Sequence, residues 1–376
     1  DGEPGGGFEP DWWYDGKRYA QDLGPEMFTA YRSCKTADEL RSAGFTEEMI
    51  WGHRVADRAV NFLEHVADEP FVLAVSFDEP HGPYVAPPEY WEKFSEDELA
   101  FVEREKPERF PAPGLQDIHR QQAEASGHGL ATRRFFGCNS YIDREIGRII
   151  DTVDRLHPDD TIIIYTSDHG DMLGHHGLTS KGPMMFEEIC NVPFIVRLPQ
   201  CLSQSSSRTS NAVVSHLDII PTMLDFAGIE CPVSLHGTSI RPLLEEAAES
   251  VRETAMISFT RFAVNHDDWG EFYPIRALTD GRYKLAINFF ETDEFYDLEK
   301  DPHETHNAIE CEAYQAERDR LHDALLDEMD RIRDPFRSFR WGARPWRQVR
   351  EPFYFGGKRR NAPKGFPFQP TGIEAT

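Results

Sequence analysis

The chain of 376 residues is long enough for one large α/β core with a small additional domain. Its 66 acidic side chains outnumber the 40 lysines and arginines and give a formal charge of −26, which repels phosphate backbones and excludes nucleic acid as the expected partner. The hydrophobic content of 39% suits a packed globular protein, and no stretch approaches the roughly 18 consecutive apolar residues of a membrane span.

Two apolar patterns in the first third of the chain predict a helix followed by a strand. Residues 47–66 carry apolar side chains at helical spacing. Residues 71–77 form a continuous apolar run of strand formers, as expected of a central parallel strand covered on both faces. The run ends at a loop over residues 78–83. Residues 86–132 are rich in proline and charge, which predicts a long irregular excursion.

Helix and strand patterns then alternate. An apolar stripe over residues 135–156 predicts a long helix that His157-Pro158 ends. Residues 161–166 and 194–198 predict two more buried strands, and residues 215–227 predict a helix capped by Ser215. This alternation predicts an α/β fold with a mostly parallel, doubly wound sheet flanked by helices. Ligands bind beyond the C-terminal ends of the strands in such sheets.

The texture changes after residue 246. Short apolar runs are separated by turn residues, among them Asp280-Gly281, a strong hairpin signal. A helix over residues 313–332 follows. We therefore predict a core domain over residues 1–246 and a small C-terminal subdomain of antiparallel sheet plus helix over residues 247–333. The runs concerned are residues 255–262, 273–278, 282–289 and 294–296.

The last 43 residues, 334–376, form a basic and aromatic arm on an acidic body. They contain nine lysines or arginines against three acidic residues, together with nine aromatic residues. The aromatic content argues against plain disorder. We expect the arm to wrap its own subunit or a neighbouring copy. In the second case the protein would be a homo-oligomer.

Asp168 and His169 form a candidate metal-binding pair. One anionic and one neutral donor emerge together where the predicted strand 161–166 becomes a glycine-containing loop, and this arrangement suits a divalent cation. A pair of this kind also occurs where Asp and His merely cap a loop or hydrogen-bond to it. From these two residues alone, both interpretations stay open.

The residues around the pair closely resemble a long signature of the sulfatase family of the alkaline phosphatase superfamily. The signature spans residues 166–188, and the resemblance extends over roughly residues 47–308. In that family the Asp and the residue after it bind the active-site cation, and a later Lys contacts the sulfate. The resemblance therefore implies that Asp168 and His169 are metal ligands and that Lys181 is a catalytic and substrate-binding residue. Further landmarks are Asp143 and residues 213–221, 236–240 and 295–302.

His81 lies in a segment that resembles the family's Pro-His-x-Pro-Tyr/Phe pattern. The resemblance implies that His81 contacts the substrate and assists the leaving group, because a histidine titrates near neutral pH and can donate a proton. The alternative is a loop histidine bound to a backbone carbonyl. We expect structural or orienting roles for five other polar residues near the motif: Asp171, His175, His176, Glu187 and His216.

The sequence departs from the family at its nucleophile. A complete sulfatase has an acidic pair that helps to hold the metal. It also has a Cys or Ser in Cys/Ser-x-Pro-x-Arg that is oxidised to formylglycine, and this chain contains neither feature. We therefore expect that the sequence is truncated, that the nucleophile and the remaining ligands lie outside it, and that the chain alone is inactive.

For the complete protein, the resemblance implies metal-dependent hydrolysis of a sulfate ester of a small molecule or a saccharide. Ca²⁺ is the expected cation, with Mn²⁺ and Mg²⁺ as alternatives. A phosphonate monoester or phosphodiester hydrolase is the alternative within the superfamily, because such relatives share the same motifs. The alternative of another class is a non-catalytic, sulfatase-like binding protein.

Overall fold

The structure is a computed structural model that divides the chain into two compact units. The first comprises Asp1–Glu103, Ser126–Ile163 and Arg197–Cys201, and the second comprises Arg104–Ala125, Ile164–Val196 and Leu202–Thr376. The residues that the structure describes are 23, 25–66, 70–95, 116, 129–199, 201–202, 207–231, 234–261 and 272–347.

The first unit is built from helices. The two longest, over residues 51–65 and 129–156, pack against each other, and both confirm predicted apolar stripes. The helix predicted over residues 47–66 is divided into a 3-10 turn, Glu47–Met49, and the α-helix that begins at Trp51. The helices are α1 (Pro25–Ser33), α2 (Ala37–Ser42), α3 (Trp51–His65), α4 (Pro88–Trp91) and α5 (Gly129–Leu156).

Large aromatic side chains fill the core of the first unit. Tyr31, Trp91 and Tyr141 are at most 1% exposed. The guanidinium group of Arg134 lies 4.8 Å from the ring centroid of Tyr31 and 5.3 Å from that of Trp91. A cation over aromatic faces can be buried at lower free-energy cost than one without such contacts. Trp91 belongs to the short helix α4, which lies near the start of the segment 86–132 that was predicted to be irregular.

The three predicted core strands are only partly confirmed. Strand β1 (Ile163–Thr166) pairs with β2 (Phe194–Arg197), as their apolar runs predicted. The prediction that they are buried is wrong, since Ile195 is 60% exposed. The strand predicted over residues 71–77 is also wrong: among the described residues no strand pairs with this segment, and Val72 is 74% exposed. An apolar run needs a hydrogen-bonded neighbour on each side to become a central strand.

The second unit contains a four-stranded antiparallel sheet in the order β3-β4-β5-β6. This sheet confirms the C-terminal antiparallel sheet that the short runs predicted. Its strands are β3 (Ala255–Arg261), β4 (Phe272–Thr279), β5 (Tyr283–Asn288) and β6 (Glu294–Asp297). The helices of the second unit are α6 (Glu187–Cys190), α7 (Ile219–Ala227), α8 (Arg241–Leu244), α9 (Gln315–Arg331) and α10 (Phe339–Gly342).

Local signals explain several of these elements. Ser215 accepts the backbone N–H of Leu217, and Asp218 accepts the N–H of Ser215, a capping box before α7 that confirms the predicted cap. Gly281 takes a φ of 89° in the turn between β4 and β5, and a side chain is strained in that region. The Asp280 carboxylate accepts the N–H of Tyr283 in the same turn.

The two faces of the four-stranded sheet are both covered. Side chains alternate across a strand, so Leu278, Leu285 and Ile287 point to one face, where α9 packs with Leu321, Leu325, Leu326 and Met329. Ile275, Ala277 and Ala286 point to the other face and pack against Met185 and Cys190. The second face therefore supports the segment that follows Lys181, and this contact brings the candidate site residues next to the C-terminal sheet.

The described part of the predicted arm, residues 334–347, packs on the second unit. Trp341 is fully buried beside α9. Arg344 pairs with Asp293 at 2.7 Å, and the indole N–H of Trp346 donates to Asp293 at 2.7 Å. Residues 348–376 of the arm lie outside the described residues. None of the described helices has both the length and the apolar character needed to cross a membrane.

Candidate functional site

Asp168 and His169 follow β1 closely, so their side chains leave the end of the strand together. Oδ2 of Asp168 lies 3.5 Å from Nε2 of His169, and the Asp168 side chain is 84% exposed. Nδ1 of His169 lies 2.8 Å from the carbonyl oxygen of Gly170. Because a carbonyl only accepts, Nδ1 carries a proton, and Nε2 is the ring atom that faces the carboxylate.

Two acceptors in this arrangement suit a shared cation. Ligand atoms at about 2.0–2.5 Å from one divalent ion are separated by roughly 3–3.5 Å when they are neighbours in its coordination shell. Two facing acceptors repel each other unless a cation or a proton lies between them. The side chains of Asp168 and His169 therefore fit a divalent cation as two of its ligands.

Residues 168–190, which we call the ligand segment, close on themselves through backbone contacts. The N–H of Gly170 donates to the carbonyl of Ile189 at 3.0 Å. A Cβ atom at Gly170 would lie 1.8 Å from the carbonyl oxygen of Glu188, so only glycine allows this approach. The loop after Asp168 and His169 therefore rests directly on α6.

Lys181 lies within the ligand segment and is half-buried. Its neighbour Ser180 donates its backbone N–H to Asp171 at 3.1 Å and accepts the N–H of Met172 at 2.9 Å. Asp171 also accepts the N–H of Leu173 at 2.9 Å. The backbone next to Lys181 is thus bonded to the backbone that follows Asp168 and His169, and Asp171 has the contacts expected of an orienting residue.

The two adjacent histidines of the ligand segment face Glu188. Nδ1 of His175 lies 2.9 Å from Glu188, and Nε2 of His176 lies 3.9 Å from it. The ring of His176 is buried and stacks on Phe186 at 3.9 Å between centroids. Burial opposes ionisation of Glu188, but the hydrogen bond with His175, a backbone hydrogen bond and the two nearby histidines together lower its pKa. These contacts are those of packing and orienting residues.

His216 contacts the end of β1. Its Nε2 lies 3.2 Å from Oγ1 of Thr166, two residues before Asp168. Ser167, between them, donates to the carbonyl of His169 at 2.9 Å. His216 therefore supports the backbone that leads into Asp168 and does not itself lie among the groups that we expect to bind a cation.

His81 belongs to the first unit, in residues 78–84, which we call the His81 loop. Its side chain is exposed, and Nδ1 donates to the carbonyl of Gly82 at 2.9 Å. Oε1 of Glu79 accepts the N–H of Gly52 at 3.0 Å, so Glu79 bonds the loop to the first turn of α3. Burial raises the pKa of Glu79 to about 7, and the nearby charge of Asp78 adds to the shift.

A second group of possible ligands lies in the first unit. Glu47, His53 and Glu145 are the one group of three such side chains within 4.8 Å of one another in the described part of the chain. Two guanidinium groups already pair with the buried Glu145: Arg148 lies 2.5 Å from Oε2 and Arg144 lies 2.9 Å from Oε1. They supply the positive charge that a metal ion would bring. We therefore interpret the group as an ion-pair network.

Two buried charged residues were not found from the sequence. Lys284 is fully buried. It lies in the otherwise apolar run Tyr-Lys-Leu-Ala-Ile of β5, and its side chain points to a covered face of the sheet. That lone lysine was a usable signal, because a buried lysine needs an acidic partner. Glu79 stood beside the predicted loop histidine without any pattern that distinguished it from an exposed glutamate.

Comparison with protein families gives two matches. A family model described as Sulfatase matches residues 6–229. A second model, described as N-sulphoglucosamine sulphohydrolase, C-terminal, matches residues 174–331. Together they cover the His81 loop, the ligand segment and the four-stranded sheet.

Relatives of known sequence agree. The chain is 37% identical to the uncharacterized sulfatase YidJ of Escherichia coli strain K12 over 368 residues, which are 96% of this chain and 71% of the relative. It is 27% identical to an arylsulfatase of Clostridium perfringens over 308 residues, 77% of this chain and 60% of that protein. The chain therefore spans somewhat more than half of the length of such relatives.

Solved structures show the same fold. The phosphonate monoester hydrolase of Silicibacter pomeroyi superposes with a TM-score of 0.66 at 20% identity and covers 86% of this chain and 70% of its own. BT4656, described in complex with its substrate D-glucosamine-2-N,6-O-disulfate, superposes with a TM-score of 0.61 at 21% identity, over 76% of this chain and 70% of its own. These likenesses confirm the predicted α/β class of the alkaline phosphatase type.

Proposed function

This chain belongs to the sulfatase family of the alkaline phosphatase superfamily, and from that premise we propose that the complete protein hydrolyses a sulfate ester with the help of a divalent cation. The observation that carries the proposal is the Asp168–His169 pair, whose ligand atoms lie 3.5 Å apart. The same closed segment carries Lys181.

The cation, when bound, neutralises negative charge on the oxygens of the ester. Asp168 and His169 would hold it through a carboxylate oxygen and Nε2. Ca²⁺ is our first expectation, and Mn²⁺ or Mg²⁺ are the alternatives. An imidazole nitrogen suits Mn²⁺ better than the oxygen-preferring Ca²⁺, so the metal content of the purified protein decides among them.

Lys181 and His81 carry the remaining chemistry that we assign to this chain. The ammonium group of Lys181 stabilises charge that develops on the ester oxygens. His81, protonated at Nε2, donates a proton to the departing alcohol. We derive no nucleophilic step, because the chain contains no Cys/Ser-x-Pro-x-Arg sequence from which formylglycine could form.

We further propose a sulfated saccharide or a small aryl sulfate as the substrate class. Two comparisons support a saccharide: the match of residues 174–331 to the C-terminal model of an N-sulphoglucosamine sulphohydrolase, and the structural likeness to a protein whose substrate is a glucosamine disulfate. The formal charge of −26 repels an anionic ester, so binding it requires a local positive site, which a divalent cation and Lys181 would supply.

The test is the turnover of the intact protein on paired substrates. We expect kcat/KM for 4-nitrophenyl sulfate or glucosamine-6-sulfate to exceed that for a phenylphosphonate monoester, and we expect chelation of divalent cations to abolish both activities. A larger kcat/KM for the phosphonate ester would establish the alternative hydrolase. Absence of turnover for all three substrates, with metal bound, would favour the non-catalytic binding protein and refute our proposal.

A further inference from the structure

A triad of charges, centred on a buried lysine, connects the ligand segment to the four-stranded sheet. Lys284 of β5 is fully buried, and its Nζ lies 2.6 Å from Glu304 and 2.8 Å from Glu187. Glu304 also accepts the backbone N–H of Glu187 at 2.6 Å. Glu187 is therefore bonded through both its side chain and its backbone at the first residue of α6.

The charges of the triad depend on one another. Burial alone lowers the pKa of Lys284, but the carboxylates of Glu304 and Glu187 outweigh it and raise the pKa, so the ammonium persists at neutral pH. Apolar side chains of the ligand segment pack on the same face of the sheet, among them Met185, and they keep water out. Removing the lysine would leave the buried carboxylate of Glu304 and the half-buried carboxylate of Glu187 without their cation, which is strongly destabilising locally.

A short path of covalent and hydrogen bonds joins the triad to Asp168 and His169. Glu187 begins the four-residue helix α6, which contains Ile189. Ile189 accepts the N–H of Gly170, and the carbonyl of Gly170 in turn accepts Nδ1–H of His169. Because no Cβ fits between Gly170 and Glu188, the two backbones are in direct contact. A shift of α6 therefore moves the group that sets the tautomer and the orientation of His169.

From this geometry we propose that the triad of Lys284, Glu187 and Glu304 positions the Asp168–His169 pair, and that Lys284 is a positioning residue of the metal site although it lies in the C-terminal sheet. The assignment of a metal to this pair rests on the proposed function. The mechanical part, the bracing of residues 168–172 by Lys284, does not.

The first test measures the bracing directly. In the intact, metal-free protein, we expect Lys284→Met to speed amide hydrogen exchange in a peptide covering residues 166–172 by about 10-fold or more, because the Gly170–Ile189 hydrogen bond loses its support. Lys300→Met is the matched control: Lys300 is an exposed lysine that pairs with Asp297 at 3.3 Å, and its loss should leave this peptide unchanged. Unchanged exchange in the Lys284→Met protein would overturn the inference.

The second test measures the consequence for the cation. We expect Lys284→Met to weaken Mn²⁺ binding by about 10-fold, within the range for loss of an outer-shell partner, while Lys300→Met binds as the wild type does. A merely structural role would lower the melting temperature and leave the Mn²⁺ dissociation constant of the folded protein unchanged. That result would also overturn the inference.

A milder variant keeps the proposal testable if Lys284→Met fails to fold. Glu187→Gln removes one carboxylate and retains the Lys284–Glu304 pair, so it should fold and give smaller changes in the same direction. Failure of the proposed function is recognised separately: the wild type and Asp168→Ala would then bind Mn²⁺ equally, while exchange at residues 166–172 would still respond to Lys284→Met.

Discussion

The His81 loop and the ligand segment are attached to their own units by carboxylates that have different partners. Glu187 and Glu304 face the ammonium of Lys284 at 2.8 and 2.6 Å. Glu79 is 4% exposed, its Oε1 accepts one N–H, and its Oε2 has no hydrogen-bond partner among the described residues. No described cationic side chain forms an ion pair with Glu79, and its pKa rises to about 7.

The two kinds of bracing accompany two different expected functions. A buried carboxylate is costly unless a cation pairs with it or a proton neutralises it. The segment that we expect to hold a cation is braced by an ion triad whose ammonium persists at neutral pH. The loop that we expect to donate a proton is braced by a carboxylate that forms no ion pair with any described cationic side chain. Four substitutions in the intact protein test the comparison, from the largest expected effect to the smallest.

Asp168→Ala should have the largest effect, because it removes a direct ligand. We expect bound metal and turnover to be lost together, by more than the roughly 10- to 100-fold that removal of an outer-shell partner costs. Elemental analysis of the purified protein and kcat/KM check this. Asp160→Ala, which removes an exposed carboxylate just before β1, is the control. Full metal content in Asp168→Ala would refute the ligand assignment.

His81→Ala should lower the rate and leave the metal in place. A general acid contributes about 10²- to 10⁴-fold, and most where the leaving group is poor. We therefore expect a loss of about 10³-fold with an alkyl sulfate and a much smaller loss with 4-nitrophenyl sulfate. His65, an exposed histidine that also bonds to a backbone carbonyl, supplies the control variant His65→Ala. Equal losses on both substrates would contradict the assigned role.

Lys181→Ala should reduce kcat/KM by roughly 10²-fold, the effect of losing one charge-stabilising donor, without loss of metal. Lys181→Arg retains the positive charge and should recover part of the activity, although the guanidinium differs in shape from the ammonium. Steady-state kinetics of both variants check this. Wild-type rates in Lys181→Ala would remove the residue from the site.

Glu79→Gln should change pH dependence more than activity. The pKa of Glu79 is raised from 4.5 to about 7 in the folded protein, so the fold binds more protons than the unfolded chain between these values. Its contribution to stability is therefore present below pH 4.5 and is lost as pH rises through 7, by about 3 kcal/mol in total. The free energy of unfolding of the glutamine variant should lack this dependence on pH.

Urea denaturation between pH 5 and pH 8 measures that slope. We expect the variant to become more stable than the wild type as pH rises, with exposed Glu89 as the site of the control substitution Glu89→Gln. A stability difference between Glu79→Gln and the wild type that does not vary with pH would show that Glu79 keeps one protonation state throughout.

The sequence alone determined the elements whose signals are local. The apolar stripe of α5, the Ser215 cap and the Asp280-Gly281 turn each depend on residues within a few positions of one another. The closeness of Asp168 and His169 follows likewise from their adjacency at the end of a strand. The resemblance to the sulfatase family added Lys181 and His81 as candidates.

Only the tertiary structure decided how these residues are supported. Lys284 and Glu187 are 97 positions apart, and Glu79 and Gly52 are 27 apart, so no local periodicity relates them. The same limit explains residues 71–77, since an apolar run shows the tendency to form a strand but not whether a neighbour pairs with it. Burial and contacts between distant parts of the chain shift the pKa of Lys284 and of Glu79. These long-range contacts depend on the packing of the whole unit.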